Sequence, residues 1–158
     1  MPFITLTDSE VRLAIQVGGL RRWTAIQEGL ADKAGRPNDW TADIEGAAGE
    51  IAYCKFAGLY WPAGNKTFSE PDAGTGQREV EVKTAWNEEL PIYPSIPDSR
   101  KVILVTGRIP AFKVIGWILA GDGKKLVRPS NKGKGYQDAH FVQGWQLHTY
   151  DPVTRLTV

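Results

Sequence analysis

The 158-residue chain is poor in sulfur and in histidine: it has one cysteine, Cys54, one methionine, and two histidines, His140 and His148. A lone cysteine excludes a disulfide-stapled fold. The histidines stand eight positions apart in the C-terminal segment, without the spacing of metal ligands. No apolar run approaches the roughly 18 residues of a membrane span. The start, Met1-Pro-Phe-Ile-Thr-Leu-Thr-Asp, lacks the basic residues and long apolar stretch of a signal peptide. The expected compartment is therefore intracellular, where a free thiol stays reduced. No Ser-His-Asp set, phosphate-binding glycine loop, zinc finger, internal repeat or low-complexity tract is present. What remains is an ordinary globular composition, 42% hydrophobic and 23% charged. Its length suits a single domain over residues 1–158.

A net charge of +1 conceals a strong asymmetry. Residues 1–99 hold nine Lys and Arg against fifteen Asp and Glu, whereas residues 100–134 hold nine against the single acid Asp122. Acids gathered apart from bases suit a metal site beside a phosphate-binding surface, and also suit plain solvated charge.

The hydrophobic pattern predicts helices first and strands after. Thr7 and Glu10 form a capping-box signature, followed by Val11, Ile15, Gly18, Arg22, Ile26 and Leu30 at helical spacing. Trp23 lies beside that stripe and is expected in the core, and Gly18-Gly19 weakens the helix at its middle. A second helix is predicted from about Thr41 to Ala57, with Gly58 as its C-cap. The period then changes. Arg78-Glu-Val-Glu-Val-Lys-Thr84 alternates strictly, placing Val80 and Val82 on one face and Glu79, Glu81 and Lys83 on the other. Lys101 to Thr106 reads as a central strand. Phe112 to Ala120 reads as a further strand, joined by a short hairpin through Pro110. Pro91, Pro94 and Pro97 predict an extended loop over 86–100. Residues 121–135 read as a Gly- and Lys-rich loop, and short strands follow around His140 and Leu147.

One constellation carries chemistry. Asp72 sits in a turn-rich stretch, and Glu81 lies nine positions on, enough for a tight turn that returns the chain alongside. Hard oxygen ligands on adjacent backbone segments are what magnesium needs. Lys83 shares the Glu81 face about 7 Å further along the strand, within reach of a metal-associated water. Glu50 lies inside the second helix with Gly46, Ala47, Tyr53 and Cys54 at helical spacing around it. An acid on such a flank is costly without a partner, and a metal or Lys83 would serve.

A helix Glu50, then Pro71-Asp72, then Glu81-Val82-Lys83 on a strand followed by apolar strands resembles the PD-(D/E)XK nuclease superfamily. The likeness covers roughly residues 41–119. Gly49-Glu50, Glu81-Val-Lys-Thr84 and Gly116-Trp-Ile118 resemble small phage-type members in particular. The resemblance implies an α/β fold, with a mixed central β-sheet flanked by helices around a restriction-endonuclease-like core. It implies metal-dependent hydrolysis of DNA phosphodiester bonds, with magnesium or manganese as the cofactor. Asp72, Glu81 and the Val82 carbonyl would bind the metal. Lys83 would position and activate the attacking water. Glu50 would reach the same ion, directly or through water, or a second one.

Lys124, Lys125, Arg128, Lys132 and Lys134 are the expected DNA-phosphate contacts, which position a substrate without reading its sequence. Trp86, just past Lys83, is a candidate base or sugar contact. The expected partner is DNA, with no membrane and with a homodimer left open; a phage-encoded chain would act in the host cytoplasm. Two rival readings are a non-catalytic DNA-binding or phage assembly module with a nuclease fold, and a Trp-rich ligand-binding domain with incidental acids.

Overall fold

The computed structural model describes residues 3–30, 39–64, 72–74, 79–133 and 137–150. It opens with a short strand, β1 (Ile4–Thr5), and two long helices, α1 (Asp8–Gln27) and α2 (Trp40–Ala57). Strands β2 (Val80–Ala85), β3 (Glu89–Ile92), β4 (Lys101–Arg108) and β5 (Ala111–Leu119) follow. A short helix α3 (Ala120–Leu126) and strands β6 (Pro129–Ser130) and β7 (Ala139–Gln143) complete the described elements, with a single 3-10 turn at Gly144–Gln146.

The ends of the helices form where the local sequence dictates. The Thr7 side chain accepts the Glu10 N–H at 3.3 Å, and the Glu10 carboxylate accepts the Thr7 N–H at 2.6 Å. That reciprocal cap contributes about 1 kcal/mol. Gly58 ends α2 at φ 66°, a left-handed conformation that costs a glycine nothing.

The expected face of α1 is displaced. Its buried residues are Ala14, Val17, Gly18 and Arg22, whereas Ile15 and Trp23 are about half exposed. The cause is the helix crossing. A Cβ on Gly18 would lie 2.6 Å from the Ile44 Cα, so α1 and α2 touch backbone to backbone there. This close approach turns the Gly18 side of α1 inward and leaves Trp23 outside the core.

Two sheets form. The first is mixed, in the order β1-β5-β4-β2, with β2 parallel to β4 and the other pairs antiparallel. The second is antiparallel, in the order β3-β7-β6. Strand β4 is central: Val102 to Val105 are wholly buried. Its alternation feeds two cores. Ile103 and Val105 join Val80, Val82, Phe112 and Val114 against α1 and α2. Val102 and Leu104 join Leu90, Ile92, Ile118 and Val142 on the opposite face. The mixed sheet therefore has both long helices on one side and the second sheet with α3 on the other.

Two loop expectations give way. Residues 86–100 contain β3, which accommodates Pro91 because it is an edge strand of the second sheet. Residues 120–126 form α3 rather than a loop, with Gly121 and Gly123 buried in it. A Cβ on Gly123 would meet the Ile92 Cδ1 at 2.3 Å, so this glycine lets α3 lie directly on β3. Among the described residues no helix is long and apolar enough to cross a membrane.

Candidate functional site

Strand β2 sits at the end of the mixed sheet, and the chain returns along its outer side as the sequence spacing suggests. Ala73 and Val80 form an antiparallel bridge, and the Asp72 N–H donates to the Val80 carbonyl at 2.8 Å. Asp72 is buried, and its Oδ2 accepts the Val82 N–H at 2.6 Å. The carboxylate therefore meets β2 on the same edge at which Ala73 pairs with Val80. In a strand the N–H and C=O of one residue point to the same side, so the Val82 carbonyl faces the Asp72 edge as well.

Val80 and Val82 enter the core beneath α2, so Glu81 and Lys83 project from the other face of the sheet. The Lys83 Nζ donates to the Glu81 Oε1 at 2.7 Å and stands 5.9 Å from the centre of the Tyr93 ring. Its side chain is 24% exposed. Burial on its own pulls the Lys83 ammonium down. The charges of Glu81 and Asp72, together with the hydrogen bond to Glu81, outweigh it and hold the group well above the usual lysine range. Asp72 is thus held against the backbone of β2 at Val82, and Glu81 and Lys83 pair with each other on one strand face.

Glu50 has a different setting. It is buried in α2, and the Arg21 guanidinium grips it with both arms, at 3.0 Å to Oε1 and 3.1 Å to Oε2. The Trp61 indole N–H adds a third hydrogen bond to Oε2 at 2.8 Å. The partner expected in a metal or in Lys83 is supplied by a cation from α1 and an indole beyond the end of α2. Among the described residues no three His, Cys, Asp or Glu side chains are grouped closely enough to hold an ion.

The basic segment is more committed than its composition suggests. The Lys124 Nζ donates to the Pro94 carbonyl at 3.1 Å, to the Ile96 carbonyl, and to Asp98 at 2.7 Å, which pins the loop after β3 onto α3. Lys132 pairs with Glu89 and lies over the Phe141 ring. The acidic partners Asp98 and Glu89 come from 26 and 43 residues away, so they were invisible as counterparts in the segment itself. Lys125 and Arg128 are exposed. Lys134 lies outside the described residues, as does Pro71.

Two residues that the motif did not indicate meet side chains at or just before β2. Arg100 places its guanidinium 3.3 Å from the Glu79 carboxylate, with only 11% of its side chain exposed. Tyr93 lies beside Lys83. Glu79, on the Glu81 face but without a role in the motif, was the one signal that a cation must approach from elsewhere. Cys54 is buried, with its thiol 4.0 Å from the Tyr60 carbonyl, and the His140 Nδ1 bonds the Val127 carbonyl at 2.6 Å. His148 stacks on Trp117, with ring centres 4.6 Å apart.

No protein-family model, curated protein or solved structure matches the chain.

Proposed function

We propose that the protein hydrolyses phosphodiester bonds in DNA at the β2 edge, as a magnesium- or manganese-dependent nuclease without strong sequence specificity, on a restriction-endonuclease-like core. The observation that carries this reading is the meeting of two segments on β2: the Asp72 carboxylate accepts the Val82 N–H at 2.6 Å, between Glu81 and a Lys83 whose ammonium donates to Glu81 at 2.7 Å.

The donor chemistry fits the ion. Asp72 and Glu81 offer two anionic oxygens, and the Val82 carbonyl adds a neutral one on the same edge. Magnesium keeps several waters and accepts so sparse a protein shell. When bound, the ion would polarise a phosphate oxygen and lower the pKa of a coordinated water. Lys83 remains protonated near neutral pH, so its role is that of a donor rather than a base. Its ammonium can hold the attacking water and stabilise that oxygen as negative charge builds on it. Glu50 ties α2 to α1 through Arg21, and α2 in turn lies close on β2, where a Cβ on Gly49 would strike the Thr84 side chain at 1.9 Å.

The closed Lys83–Glu81 pair and the commitment of Glu50 to Arg21 favour the rival reading, a DNA-binding module without catalysis. One experiment separates the two. Plasmid, linear and branched DNA are incubated with the purified protein in magnesium, manganese or EDTA, beside a thermal melt in each metal. Ion binding at 100 times its Kd should stabilise the fold by about 2.7 kcal/mol. Asp72→Asn and Glu81→Gln should each abolish that gain and the cleavage, because the neutral amides are poor ligands. The Asn oxygen can still accept the Val82 N–H, so Asp72→Asn should keep its fold. Wild-type cleavage by either variant removes this site from consideration. DNA binding by the wild type without cleavage in any metal establishes the rival.

A further inference from the structure

Trp86 follows β2 directly and is 67% exposed. A single exposed tryptophan is unremarkable by itself, since apolar atoms make up much of any protein surface. Two further features set this one apart. The Arg108 guanidinium lies over its ring, 4.1 Å from the centre. The parallel pairing of β2 with β4 runs to Ala85 opposite Thr106, and so brings the last residue of β4 up to the indole. Arg108 is itself exposed. Behind it, the half-buried Glu45 carboxylate lies within the field of Arg108 and accepts the Ile109 N–H at 3.3 Å. The pair is therefore built from two strand ends and anchored to α2, rather than carried on a loose loop.

Its position relates it to the carboxylates. Trp86 lies past the end of β2, five residues beyond Glu81 and about 16 Å along the chain at roughly 3.3 Å per residue, so it is related to the carboxylates by the length of β2 and not by a shared strand face. A duplex covers that distance in about five base steps, at 3.4 Å each, and an extended single strand in fewer. An aromatic ring offers a face to any base, and an arginine beside it adds phosphate contact and cation–π attraction. Inside a duplex the faces of the bases are already covered by their neighbours, so such a ring gains only from an unpaired base.

We propose that Trp86, backed by Arg108, is a stacking platform for an unpaired base a few nucleotides from the bond that is cut, so that the substrate class is DNA with single-stranded character. This rests on the nuclease reading for its biological meaning, but it is tested independently by binding. The full chain is titrated with a labelled oligonucleotide, single-stranded and as a blunt duplex, in calcium to suppress cleavage. Trp86→Ala should weaken single-strand binding about tenfold, the loss of one base stack, and change duplex binding less than twofold. Trp86→Phe should recover most of the loss, because it retains a ring. Arg108→Ala should weaken both forms, since it also removes a phosphate contact. Trp86 is exposed, so its variants should melt with the wild type. Equal loss on both DNAs, or no loss on either, overturns the platform.

Magnesium cleavage by the wild type, run in parallel, keeps the two readings distinct. Trp86-dependent single-strand binding without cleavage sinks the nuclease and retains the platform. Cleavage with Trp86-independent binding does the reverse, and neither binding nor cleavage sinks both.

Discussion

Replacing Arg21 by methionine tests whether Glu50 serves the fold or the reaction. The side chains of Arg21 and Glu50 are 16% and 8% exposed, and they meet through two parallel hydrogen bonds of 3.0 and 3.1 Å. At this depth their attraction is on the order of 4 kcal/mol for an effective dielectric of about 20, and it is opposed by the cost of drying both ions. The net value of the pair is therefore small. Removing one member is different, because it leaves a buried charge without its counterion at about 3–5 kcal/mol. The Trp61 N–H, which bonds the Glu50 Oε2 at 2.8 Å, offsets part of this, so about 3 kcal/mol is expected for Arg21→Met. At 2–4 °C per kcal/mol for a chain of this size, the melting temperature should fall by about 6–12 °C. Arg21→Met with Glu50→Leu should melt above the Arg21→Met single variant, since neither charge is then stranded. The assay is urea and thermal unfolding, without metal or DNA, followed by magnesium-dependent cleavage by whichever variants fold. An Arg21→Met protein as stable as wild type would refute the reasoning, because the pair would then be effectively solvated. A folded double variant that cleaves DNA would place Glu50 outside the chemistry. A folded double variant that is inactive would return Glu50 to the site.

Two further outcomes are expected. Gly18→Ala and Gly19→Ala should shift stability in opposite directions. A Cβ on Gly19 meets nothing within 4 Å, so that change should gain up to about 1 kcal/mol of helix propensity. A Cβ on Gly18 would meet unyielding backbone of α2 at 2.6 Å, and the resulting overpacking, about 1–3 kcal/mol, should exceed the same propensity gain. Gly18→Ala melting at or above the wild type would show that the helices can separate freely. Glu45 supplies a pH test. Burial, only partly offset by the Ile109 N–H and the Arg108 charge, raises its carboxyl above the usual value. A raised carboxyl contributes stability below its unfolded pKa, and that contribution is lost as pH rises through the folded value. Glu45→Gln should therefore melt higher than the wild type at pH 7 and converge with it near pH 4. A difference in melting temperature that does not vary with pH would show that burial is not what moves this group.

How much of the molecule was legible in its sequence depends on how far each interaction reaches along the chain. The Thr7–Glu10 cap, the Gly58 terminus, the β2 alternation and the buried β4 run all depend on residues within a few positions of one another, so local pattern was sufficient. The Glu81–Lys83 pair belongs with these, because a period of two places both on one face. The return of Asp72 alongside β2 was readable from spacing. Its bond to the Val82 N–H was not, since that depends on where the folded chain leaves one carboxylate. Only the tertiary structure decided what sits opposite each charge. Arg21 reaches Glu50 across 29 residues, and Lys124 reaches Asp98 across 26, through the packing of α1 on α2 and of α3 on the loop after β3. The exposure of Trp23 was likewise settled by the helix crossing at Gly18, because hydrophobic periodicity finds a stripe but cannot say which neighbour comes close enough to turn it. A buried charge must have a partner, and composition states that need. The identity of the partner follows from distances in space, which the order of residues along a chain does not contain.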